Sequence, residues 1–138
     1  TREKRHDLES IYEELRAIAQ ETQCPVWTAS QTNRSGLNAE VVTLEAISEA
    51  YSKCFVADFI CSVSRTIDDK NNNTGRLFVA KNRFGPDGLV YPAKMDLSRV
   101  KIDILPSTGE TIGEIQVNAA KQQSEKLKEK YKKFKDGS

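Results

Sequence analysis

The sequence predicts an α/β fold in which helices flank a sheet that ends in an antiparallel edge hairpin. Three observations predict it. A stretch with helical periodicity runs into a short apolar segment, Val26-Trp27-Thr28-Ala29, long enough for one buried strand and too short for a helix. A second β-rich run occupies residues 57–64. Two further β-type runs then flank Phe84-Gly85-Pro86-Asp87-Gly88, where both glycines tolerate positive φ and Pro86 fixes its own, as a tight turn requires.

Residues 3–22 place Leu8, Ile11, Tyr12, Leu15, Ile18 and Ala19 on one helical face, while acidic and polar residues such as Glu9, Glu13 and Gln20 take much of the rest. Pro25 disfavours helical geometry in the residue before it, so the helix stops there. Its apolar face is expected to pack on the strand at 26–29. That strand hands over to Ser30, Gln31, Thr32, Asn33, Arg34 and Ser35, and open α/β sheets build binding sites at such carboxyl ends. No strand precedes the helix in the opening TREKRHD, so the chain reads as starting mid-domain. Leu44, Ile47, Ala50, Tyr51, Cys54 and Phe55 predict a second amphipathic helix, which Thr43 could cap. A strand at 57–64 follows. Residues 68–74, DDKNNNT, read as a turn or hairpin loop. Residues 75–83 alternate as a strand that pairs antiparallel with 89–95, and 100–105 alternate as a last strand ended by Pro106. A linker at 107–113 leads to a helix over 114–135, with a thin stripe of Ala120, Ser124, Leu127, Tyr131 and Phe134 among lysines. The organisation is a domain at 1–106 and a linker with a Lys-rich helical tail at 107–138.

The 138 residues suit one domain, and 30% charged against 38% hydrophobic residues describe a globular chain rather than a disordered one. No apolar run reaches membrane-spanning length. Cys24, Cys54 and Cys61 lack metal-ligand spacing and read as reduced thiols of a cytosolic protein. His6 reads as a solvated helix residue. The net charge of +1 hides an asymmetry: residues 121–138 hold seven lysines against three acids, and the other 120 residues hold 14 basic and 17 acidic groups. The body is not a basic nucleic-acid-binding block, so such binding would fall to loops or the tail.

No self-sufficient catalytic constellation is present: GxxxxGK[ST], HExxH and GxSxG are all absent. Gln31 stands at a strand end, and Ser48 and Glu49 sit side by side on the second helix. Lys81 and Arg83 lie two apart, so regular alternation places both on one strand face just before the rigid turn. Two cations held together suit a phosphate, Arg offering a planar fork and Lys a point charge. The same pair could equally protect a sheet edge from aggregation.

The order of LRAIAQETQCPVWTASQTNRSG, LEAISEAYSKCFVADF and GRLFVAKNRFGPDG resembles the second half of the RecA-like motor domain of DnaB-type replicative helicases, especially those of tailed phages. The resemblance covers residues 8–96, and its most specific piece is K-x-R-x-G-P-x-G. It implies a partial RecA-like, P-loop NTPase-type sheet, belonging to a hexameric ATP-driven helicase that translocates on single-stranded DNA. Gln31 would sense the γ-phosphate. Arg83 would be an arginine finger inserted into the neighbouring subunit's nucleotide site, with Lys81 beside it. Ser48 and Glu49 would face single-stranded DNA in the ring channel. Where bacterial members have R-E-S-G, this chain has Ser48-Glu49-Ala50-Tyr51, so Arg34 would supply the positive charge.

The family's phosphate loop, catalytic glutamate and metal-binding aspartate all lie upstream of the matching region. The chain therefore reads as a fragment, with ATP and Mg as cofactors of the complete protein and neither expected on the fragment alone. The implied partners are further copies in a ring, single-stranded DNA and a primase, with no membrane, in a bacterial or phage-infected cytoplasm. Three other readings remain open: a recombinase or clock-type RecA-like ATPase, a non-catalytic adaptor that kept the fold, and a basic-tailed nucleic-acid-binding module.

Overall fold

Four strands pair in chain order, β1-β2-β3-β4, and every pairing is antiparallel. The fold is that of a computed structural model, which describes residues 2–32, 39–44 and 56–136. In chain order the elements are α1 (Arg2–Thr22), β1 (Phe59–Ser64), α2 (Ile67–Asn72), β2 (Thr74–Asn82), β3 (Val90–Asp96), β4 (Lys101–Ile104) and α3 (Ile112–Asp136). The protein is thus mixed α/β, with flanking helices and an antiparallel four-stranded sheet. The short connections dictate this topology, because a parallel neighbour needs a crossover of roughly a dozen residues or more.

Two expectations need correction. Residues 26–29 form no strand: they are irregular and exposed, outside the sheet. Their apolar side chains gain one aromatic partner rather than a ladder. Trp27, 74% exposed, meets Phe59 edge-on at 5.7 Å. The expected packing of α1 on that strand therefore does not occur. Residues 68–74 are not a plain loop but hold α2, which has a capping box. The Thr66 hydroxyl accepts from the Asp69 N–H at 3.2 Å, and the Asp69 carboxylate accepts from the Thr66 N–H at 2.7 Å. Asn73, at φ 55°, ends the helix in the left-handed region. The helix expected over 44–55 lies, apart from Leu44, outside the described residues.

Phe78, Ala80 and Val90 bring one sheet face together with Val41, and Leu44, Ile60, Ile112 and Ile115 pack around them. Residues 39–44 cross this face, where Ser62 and Ser64 donate to the carbonyls of Val42 and Glu40 at 2.5 and 2.8 Å. Beside them the Arg76 guanidinium bridges Glu40, at 2.8 Å, and Asp69, at 2.5 Å. Asp69 also accepts from the Thr74 hydroxyl at 2.8 Å. Burial works against ionisation of Asp69. The Thr66 N–H, the two threonine hydroxyls and Arg76 outweigh it and hold the carboxyl below its ordinary value of 3.8. On the other face Met95 lies over Gly75. A Cβ at residue 75 would come within 2.5 Å of the Met95 Cε and 3.0 Å of the Ser64 carbonyl oxygen, so a side chain there would force Met95 to move. A β-bulge interrupts the β1–β2 ladder: Ile60 pairs with Lys81 and Cys61 with Val79, leaving Ala80 as the extra residue.

Candidate functional site at the hairpin tip

The turn between β2 and β3 is tied to both strands. The Gly88 N–H donates to the Val79 carbonyl at 2.8 Å, and the Val79 N–H to the Leu89 carbonyl at 2.9 Å. The Asn82 side chain spans the turn, donating to the Pro86 carbonyl at 3.3 Å and accepting from the Phe84 N–H at 3.3 Å. Gly88 sits at φ 75°, a conformation that side-chain-bearing residues rarely adopt. Arg83 is the first residue beyond β2, and its N–H donates to the Asp58 carbonyl at 2.9 Å.

The Arg83 guanidinium pairs with the Asp58 carboxylate at 2.5 Å. The same Asp58 oxygen also meets Arg16 of α1 at 3.4 Å, while Arg16 donates to the Val56 carbonyl at 2.6 Å. One carboxylate therefore holds two guanidiniums, and α1 is tied through it to the base of the hairpin. The side chains of Arg16, Asp58 and Arg83 remain 36%, 47% and 40% exposed. Ion pairs this wet are worth under about 1 kcal/mol, so Arg83 can leave Asp58 for a stronger anion at little cost. Two hollows among the described residues lie around residues 108–121 and around 88–90 with 107–113, and neither is lined by Lys81 or Arg83.

Lys81 pairs in register with Ile60, is half-buried and has an interaction of its own. Gln31 lies on exposed irregular chain rather than at a strand end, which corrects its expected setting. Arg34, Ser48 and Glu49 lie outside the described residues. Sequence reasoning missed Asp58 as the partner of Arg83 and Arg16 as the second cation on that carboxylate. Asp58 faces Arg83 only through the antiparallel register, which the run of residue types around it does not reveal. Among the described residues no group of three or more His, Cys, Asp or Glu side chains could hold a metal ion. Cys24 and Cys61 are free thiols. No described helix is long and apolar enough to cross a membrane. Comparison with protein-family models, with curated proteins and with solved structures finds no match for this chain.

Proposed function

We propose that this chain is part of the RecA-like motor of a hexameric, ATP-dependent replicative DNA helicase of the DnaB type. It would work on single-stranded DNA in a bacterial or phage-infected cell. The observation that carries the reading is Arg83. It is an exposed arginine at the end of a strand, on a turn cross-bonded to both arms of its hairpin, parked on one weakly bound carboxylate. A side chain so mounted can reach outward into a neighbouring subunit's nucleotide site. There it would stabilise the charge that develops on the transferred phosphoryl group, with Lys81 nearby on β2. Gln31, Arg34, Ser48 and Glu49 keep their assigned roles in this reading, as phosphate sensor and as the DNA-facing positions, and a primase remains a candidate partner.

The residues of this chain do not fit ATP or Mg on their own: the sequence has no phosphate loop, and the described residues offer no metal-ligating cluster. The nucleotide would be held elsewhere in the complete ring, and this chain would supply side chains to it. Mixed full-length rings test the proposal. Arg83→Ala subunits should depress DNA-stimulated ATP hydrolysis, by about 10³-fold or more in a uniform Arg83→Ala ring, while nucleotide binding is retained. Hydrolysis at the wild-type rate would sink the finger assignment. One observation favours a second reading, a non-catalytic chain without the RecA fold. The sheet is antiparallel throughout, whereas RecA-type sheets are mostly parallel. Under that reading Arg83→Ala leaves ATP hydrolysis untouched.

A further inference from the structure

The two long helices carry matching seven-residue patterns of opposite charge. On α1, Ile11 and Ile18 lie seven apart and are 49% and 48% exposed, with half-buried Leu15 between them. Three residues after each isoleucine comes an exposed acid, Glu14 and Glu21, and Asp7 continues the spacing in the sequence. Written as a heptad, Leu15 is at a, the isoleucines are at d, and the acids are at g. On α3, Val117 and Tyr131 fall at a and Leu127 at d, and they are 52%, 72% and 68% exposed. From residue 120 onward the residue after each d position is a lysine: Lys121, Lys128 and Lys135, all exposed.

The opposite side of α3 faces the body. Ile112 and Ile115 enter the core, Ala119 is half-buried, and Lys126 pairs with Asp68 of α2 at 2.6 Å. Ile112, Ala119 and Lys126 are themselves seven apart, so the seam of Leu127 and Tyr131 points away from the sheet. On α1, Arg16 holds the body while Ile11 and Ile18 stay outside. Among the described residues no extended contact joins α1 to α3.

In a parallel two-helix seam the g positions of one helix meet the e positions of the other. An acidic g row on α1 and a lysine e row on α3 fit that arrangement. A parallel pair of α3 helices would set these lysines against Gln116, Gln123 and Lys130, and a parallel pair of α1 helices would set the acids against Tyr12 and Ala19, so neither like pair matches opposite charges. We infer that α1 of one copy of this chain pairs in parallel with α3 of a second copy, through Ile11, Leu15 and Ile18 on one side and Leu127 and Tyr131 on the other. Because the two surfaces differ, a pair leaves α3 of one copy and α1 of the other unused, and the contact propagates head to tail. The seam spans only two to three heptads, so association is weak and depends on concentration. The inference does not rest on the helicase reading and stands or falls separately from it.

Sedimentation equilibrium of the 138-residue chain tests it, with circular dichroism confirming that each variant is folded. Wild type should rise above its monomer mass of 15.5 kDa as concentration increases. A Glu14→Lys, Glu21→Lys double variant should stay monomeric, and so should a Lys121→Glu, Lys128→Glu, Lys135→Glu triple variant. Mixing the two should restore association, because each reversed row then faces an opposite row. Wild type that stays monomeric up to its solubility limit would overturn the inference. So would variants that associate as strongly as wild type, or a mixture that remains monomeric.

Discussion

Replacing Asp69 by alanine removes four interactions at once. The carboxylate accepts from the Thr66 N–H at 2.7 Å, the Thr66 hydroxyl at 2.9 Å, the Thr74 hydroxyl at 2.8 Å and Arg76 at 2.5 Å, and the residue is only 8% exposed. The capping box contributes about 1 kcal/mol. The charge-assisted bonds to Thr74 and Arg76 contribute roughly 2 kcal/mol more, less than a lone buried pair would, because Arg76 keeps Glu40. Asp69→Ala should therefore cost about 3 kcal/mol and lower the melting temperature by about 10 °C for a chain of this size. Urea denaturation followed by circular dichroism measures it. The carboxyl is held below 3.8 in the folded state, so its contribution is complete above that value and is lost as pH falls through the lower folded value. Wild type should accordingly lose stability on acidification below about pH 4, and Asp69→Asn should lack that component of the loss. An Asp69→Ala variant within about 0.5 kcal/mol of wild type would refute the reasoning, since surface substitutions without such partners fall in that range.

Gly75→Ala should destabilise by about 1–3 kcal/mol, because the new Cβ meets Met95 and also stands 3.0 Å from the Ser64 carbonyl, which is backbone and cannot swing aside; a melting temperature equal to wild type would mean that the sheet has more slack than drawn here. Val100 is β-branched, 89% exposed and at φ 52°, so Val100→Gly should stabilise by about 1 kcal/mol, read from the denaturation midpoint, and a loss would show that its side chain is needed. Asp58→Asn should change stability by less than about 1 kcal/mol, yet speed hydrogen exchange at the Arg83 guanidinium as seen by NMR; unchanged exchange would mean that another group holds Arg83.

The hairpin was legible because its signals are local. Gly85, Pro86 and Gly88 restrict their own backbone, and the flanking runs carry β-forming residues. The helix α2 was missed although Thr66 and Asp69 stand at capping-box spacing, because the Asn-rich stretch after them reads as turn and six residues give no periodicity to count. Residues 26–29 were misread for the opposite reason. They have strand composition, but strand formation depends on a neighbour, and composition says nothing about whether one is within reach. The ties of Arg83 to Asp58 and of Arg16 to Asp58 span 25 and 42 residues, so they emerge only from the register of β1 on β2 and the position of α1. The alternation over residues 75–83 gives no sign of the extra residue at Ala80.

That extra residue also makes β2 a strand with a removable spacer. Deleting Ala80 would leave every β1–β2 and β2–β3 pair with its present partner, because Cys61–Val79 and Ile60–Lys81 would simply become adjacent rungs. The direct cost would be one methyl from the core, about 1 kcal/mol. The bend and added twist that a bulge imposes would go with it. A single-codon deletion inside this strand would thus re-aim the arginine-bearing tip while conserving every side chain on it. In aligning relatives of this chain, a one-residue gap at position 80 should be admitted where gaps in strands are ordinarily refused.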